Sequence, residues 1–141
     1  MKKQLSTWIL PMIVAVAGFS VVAFAAGNVI PQMLSQYKAE GAKDFSAARG
    51  EAFWTKKHDS TDPEDNKPRS CTTCHGTDLK KAGSHVRTGK VIDPMAFSVN
   101  SERYTDPDKI EKWFLRNCKW TLGRECTAQE KGDVLTYLGA Q

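Results

Sequence analysis

Charge is missing from a long stretch near the start of this 141-residue chain: after Lys2 and Lys3, no Asp, Glu, Lys or Arg occurs until Lys38. That absence excludes a solvated surface segment, and residues 8–24 within it are almost wholly apolar. Two leading lysines, an apolar run and Ala23-Phe24-Ala25 match an export signal cut after a small-x-small site. Residues 1–25 are therefore expected to be a signal peptide and residues 26–141 a single mature domain. The run is also long enough for an uncleaved N-terminal anchor, although Pro11 and Gly18 favour removal. Either way the remainder faces the far side of a membrane, periplasmic in a bacterium, where disulfides persist.

Sulfur and imidazole are scarce as well, with four cysteines, four methionines and three histidines in the chain. Beyond the signal only Met33, Met95, His58, His75 and His85 remain besides the cysteines. Net charge is small, about +2 once Lys2 and Lys3 are removed. From residue 67 onward thirteen Lys/Arg are interleaved with nine Asp/Glu, and no aromatic ladder accompanies them. That pattern excludes a nucleic-acid footprint. Lys80, Lys81, Arg87 and Lys90 read as a solvated face, or as a patch that steers an acidic redox partner.

What is present is compact. Cys71-Thr72-Thr73-Cys74-His75-Gly76 is a C-x-x-C-H run, in which two thiols three positions apart add to the vinyl groups of one haem and the next residue places its imidazole on the iron. A structural zinc site would want a fourth ligand, and a redox dithiol a strand–helix setting that is not evident here. One covalent haem c is the expected cofactor, held by Cys71, Cys74 and His75. Cys118 and Cys126, eight apart in an exported chain whose other thiols are taken, pair naturally as a disulfide. Closing so short a loop contributes about 2.5 kcal/mol in the chain-entropy model.

The patterning predicts an all-α fold with long loops around the haem. A helix is expected over residues 32–53, with Met33, Tyr37, Ala42, Phe45, Ala48 and Ala52 on one face. A polar loop follows over 56–69, a helical turn at 70–76, and loop again over 77–103. Asp106-Pro107 opens a second long helix with Ile110, Trp113 and Phe114 at core spacing, ending near Asn117-Cys118. Thr127-Ala128-Gln129-Glu130 is a capping box for the last helix, which buries Val134, Leu135, Tyr137 and Leu138. This order is the class I cytochrome c-like plan, with first and last helices crossing through Gly50/Phe53 against Val134/Tyr137.

The ligand opposite His75 decides between a closed electron carrier and a site open to small molecules. Residue spacing leaves Met95 and an open site both standing. His85 is a ligand or a surface residue, His58 reads as solvated, and Met33 as core or lead. No distal Arg/His acid–base pair of the peroxidase kind is evident, so enzymatic turnover is left undecided.

Resemblance adds to this. Thr88-Gly89-Lys90, Asp93-Pro94, Ser98-Val99-Asn100, Arg103, the block Arg116-Asn117-Cys118-Lys119-Trp120-Thr121-Leu122-Gly123-Arg124-Glu125-Cys126, and Gln129-Glu130-Lys131-Gly132-Asp133-Val134 join the haem motif in resembling the SHP family. These are small exported c-type cytochromes that bind oxygen and use asparagine as second axial ligand. The resemblance implies Asn117 as a labile distal ligand beside the Cys118–Cys126 disulfide, and O2, NO or CO as gases that take its place on reduction. It also implies a di-haem cytochrome c and a membrane cytochrome b as electron donors. Trp120 would then line the pocket, with Arg103 or Arg124 pairing a propionate.

Overall fold

The computed structural model describes residues 27–59 and 67–141. The expected signal peptide lies outside them, as does the middle of the polar loop at 60–66.

The first helix, α1 (Ile30–Ala39), starts where Pro31 is pre-set for a first turn and the Asn28 side chain accepts the Ile30 N–H at 2.9 Å. It stops at Gly41, whose φ of +98° takes the chain into a conformation that side chains resist. Ser46 then caps a separate helix, α2 (Ala47–Thr55), by accepting the Arg49 N–H. One helix over 32–53 was expected; the glycine stop and the serine cap divide it. The division resets the phase, so Ala48 and Ala52 face solvent while Gly50 and Trp54 face inward.

Past the haem-motif turn α3 (Thr72–His75), the stretch expected to be all loop contains a small antiparallel ladder and a 3-10 turn at Ser101–Tyr104. The ladder joins β1 (Gly83–Ser84) to β2 (Val91–Ile92). Such two-residue strands are too short to leave a period-2 signal in sequence.

Asp106 caps α4 (Pro107–Leu122) by accepting the Lys109 N–H, as its Asp-Pro start predicts. The helix runs on past Asn117 and closes at Gly123, where φ is +72°. The expected end at 117–118 is thus corrected, and Asn117 sits inside a helix. Trp113 is also corrected: it is 42% exposed, while Ile110, Cys118 and Thr121 are the buried positions of α4.

The last helix, α5 (Ala128–Gly139), carries the Thr127/Glu130 capping box and buries Val134, Leu135, Tyr137 and Leu138. It packs on α1 and α2. A side chain at Gly50 would put its Cβ 2.1 Å from the Asp133 carbonyl oxygen and 2.8 Å from the Tyr137 Cβ, so α2 and α5 meet backbone to backbone. Gly132 makes the reciprocal room, its missing Cβ leaving space for the Phe45 ring. An ion pair with only its carboxylate buried bolts the same crossing: Arg49 Nε reaches Asp133 Oδ2 at 2.9 Å, and the Ser46 N–H donates to Oδ1 at 2.7 Å. The core therefore lies along α5, lined by Met33, Tyr37, Trp54 and Tyr104. Among the described residues no helix is long and apolar enough to cross a membrane.

Candidate haem site

The attachment turn is built by its own small residues. Ser70 N–H donates to Thr73 Oγ1 at 2.9 Å, and the Ser70 and Thr72 hydroxyls lie 2.6 Å apart. Backbone bonds from His75 and Gly76 to Cys71 and Thr72 close the turn, and Gly76 leaves it at a φ of +72°. Helical backbone from Cys71 to His75 puts Cys71, Cys74 and His75 on one side, as i, i+3 and i+4 spacing requires.

Burial sets the chemistry. It drags the His75 imidazole down to about 4, with the Arg103 charge a lesser cause, so the ring is neutral and offers a lone pair at neutral pH. It pushes the Cys71 thiol up to about 12, which makes a free thiolate there unfavourable and disfavours a redox dithiol. Cys71 and Cys74 are not joined to each other. Among the described residues no three His, Cys, Asp or Glu side chains converge as a metal cage.

Around the turn, polar atoms await a group. His75 Nδ1 is buried without a hydrogen-bond partner, and so is Nε1 of Trp54, whose ring centroid lies 5.2 Å from that of His75. Native folds leave few such orphans, and a group seated against the motif that takes a lone pair from the imidazole and accepts from the indole N–H would answer them. The residues present fit a haem.

The hairpin is pressed onto the attachment turn. A Cβ on Gly83 would fall 2.2 Å from the Cys74 carbonyl oxygen and 2.8 Å from His75 Cα. His85, one residue past β1, accepts weakly at Nδ1 from the Arg87 and Thr88 N–H groups, both at 3.3 Å. These contacts engage the Nδ1 lone pair and favour the tautomer with its proton on Nε2. The His85 ring meets Trp120 at 5.9 Å between centroids. On Trp120 also lies the buried Arg69 guanidinium, 3.9 Å from the ring centroid. Arg69 stands two residues before Cys71, so these contacts bring α4 alongside the haem motif.

Asn117 is exposed on α4, one turn after Trp113 and one turn before Trp120. The next residue, Cys118, forms a disulfide with Cys126, their Cα atoms 5.6 Å apart. Met95 packs against the core with its backbone pinned at both ends: its N–H donates to the Leu79 carbonyl, and its carbonyl accepts from Tyr104 Oη. Met33 is fully buried between helices. His58, expected to be solvated, is half-buried, and its backbone pairs with that of Arg69 at 2.7 and 2.8 Å. Burial first, then Lys56 and Arg124, lower its pKa. Arg124 commits its fork to Glu130 at 2.7 and 2.8 Å, and Arg103 donates to the Asp93 and Pro94 carbonyls.

Sequence reasoning missed Trp54 and Arg69 at this site. Trp54 lies outside any motif in the sequence, and a lone arginine two residues ahead of a motif carries no periodic signal.

Comparison with known proteins bears on the family and the fold. Residues 40–138 match a family model described as a domain of unknown function, DUF1924. The cytochrome c-type protein SHP of Cereibacter sphaeroides is 42% identical over 117 residues, covering 82% of this chain and 88% of the relative. Cytochrome c'' of Methylophilus methylotrophus is 32% identical over 79% of this chain and 72% of its own. The fold superposes on oxidised SHP, described as an oxygen-binding cytochrome c, with a TM-score of 0.73 over 82% of this chain and 99% of that one, at 40% identity. On oxidised cytochrome c'' the TM-score is 0.69 at 29% identity, over 79% and 94% of the two chains. By its matched length, its identity to SHP and its haem-motif turn, the chain belongs to the SHP family of all-α c-type cytochromes.

Proposed function

We propose that this protein is an exported mono-haem c-type cytochrome that lets go of one iron ligand on reduction and then takes up a diatomic gas. Cys71 and Cys74 hold the haem covalently, His75 is its firm ligand, and Asn117 is the weak ligand opposite. When bound, the haem supplies a one-electron couple and a place for O2, NO or CO.

The observation that carries the reading is the Trp113–Asn117–Trp120 stripe on α4. Two tryptophans two turns apart make an aromatic surface with an amide midway between them. Trp120 is tied through Arg69 to the attachment turn. Such a strip suits a flat apolar macrocycle with a metal at its middle. A carboxamide oxygen is a hard, neutral donor: it holds ferric iron adequately and ferrous iron poorly. Asn117 can therefore leave when an electron arrives, while Cys118 beside it keeps the backbone fixed. Oxygen binding described for the SHP relative, and haem-ligand detachment studied in cytochrome c'', support the reading. Electrons would come from other exported or membrane-bound cytochromes, a di-haem cytochrome c and a cytochrome b among them.

Replacing Asn117 by Ala tests it. The ferric Asn117→Ala protein should bind cyanide or imidazole at least tenfold faster than wild type, with the reduced spectrum unchanged. Equal ferric rates would remove Asn117 from the iron. A sulfur-to-iron charge-transfer band in the oxidised wild type would assign Met95 instead.

A further inference from the structure

We infer that Tyr37, Glu111 and Lys131 form a latch that sets how readily α4 lifts from the haem, making Glu111 a positioning residue for Asn117. The inference rests on the assignment of Asn117 above. Of the residues of α4, only Ile110, Cys118 and Thr121 are buried, few anchors for a helix that must hold a ligand in place. Behind Asn117 the disulfide at Cys118 is one fixed point. Ahead of it, Glu111 is the other, and it faces the helical layer on the far side from the tryptophan stripe.

That grip is specific. Tyr37 of α1, fully buried, donates its hydroxyl to Glu111 Oε1. Lys131 of α5 donates to Glu111 Oε2 at 2.7 Å, and its ammonium also stands 5.2 Å from the centre of the Tyr37 ring. One carboxylate thus joins α4 to α1 and to α5. Burial, and then Glu111, raise the Tyr37 pKa far above the phenol range, so the hydroxyl stays a donor at any pH the protein meets. With the two fixed points on either side of Asn117, outward motion of its segment has to strain the disulfide or break the carboxylate contacts. Only the contacts are reversible.

Stopped-flow cyanide binding to the ferric, haem-loaded protein tests the latch. Glu111→Gln and the milder Tyr37→Phe should each speed binding, roughly tenfold for Glu111→Gln, since a charge-assisted contact is lost. Asp133→Asn removes a carboxylate of comparable importance from the α2–α5 crossing, away from α4, and should lower stability with no change in cyanide rate. In an Asn117→Ala background Glu111→Gln should add little, because the ligand it positions is gone. Wild-type rates in Glu111→Gln and Tyr37→Phe, with Asn117→Ala fast, would overturn the latch alone. Wild-type rates in Asn117→Ala as well would overturn the ligand assignment. Should Glu111→Gln fail to fold, Lys131→Gln, which keeps the Tyr37 contact, reads the same rate and decides the matter by the same criterion.

Discussion

Asp133 shows how a single side chain can stabilise the fold in a pH-dependent way. Burial alone would raise its pKa, but the Arg49 guanidinium, the Ser46 N–H and Gln129 outweigh that and hold it below the ordinary carboxylate value. A carboxyl lower in the folded than the unfolded state contributes stability above its unfolded pKa of about 4. That contribution is lost as pH falls through the lower folded value. Urea unfolding of the holoprotein between about pH 5 and pH 2 should therefore show wild type losing stability faster than Asp133→Asn. At pH 7 the variant should be less stable by about 2 kcal/mol, because an amide at this buried position has one acceptor oxygen for the hydrogen bonds that the carboxylate takes from Ser46, Arg49 and Gln129. Arg49 is half-exposed, so the charge–charge part is screened and hydrogen bonding dominates.

At the level of elements, the two glycines of the α2–α5 crossing are not equivalent. Gly50→Ala would drive a methyl into the Asp133 backbone carbonyl, which cannot move without parting the helices. Gly132→Ala meets the Phe45 ring, which is only partly buried and can swing. Thermal unfolding should give a loss of about 3 kcal/mol for the first and nearer 1 kcal/mol for the second. The same elements show what was legible in the sequence and what was not. Asp106-Pro107 and Thr127 through Glu130 announced their helices because caps are local chemistry, read within four residues. The stop at Gly41 inside the expected single helix was not legible, since a glycine's φ depends on the fold around it. Trp113 was placed in the core because helical spacing says that a face is apolar and not what covers it. Cys71, Cys74 and His75 could be read as a unit because their geometry is one turn of backbone. The bearing of Arg69 on Trp120 could not, because the two meet only across 51 positions of chain.

Taken as a molecule, the protein divides unequally around its cofactor. Along α5 the run from Gly132 to Leu138 is almost continuously buried, whereas α4 leaves a tryptophan stripe outside and sends few residues in. The α1–α2–α5 layer has a core of its own; if the haem sits on the tryptophan stripe as proposed, α4 relies on it for much of its cover. A Cys71→Ala/Cys74→Ala protein without haem should lose amide hydrogen-exchange protection in α4, while α5 keeps a measurable part of its own. Uniform loss in both helices would mean that the haem nucleates the entire fold. Gly83 carries a different consequence. Because its bare Cα rests against the carbonyl of Cys74, residue 83 can acquire no side chain without displacing the peptide that aims the imidazole. Any descendant of this gene that continues to load iron has to pass that position on unaltered, however freely the exposed hairpin tip beyond it drifts.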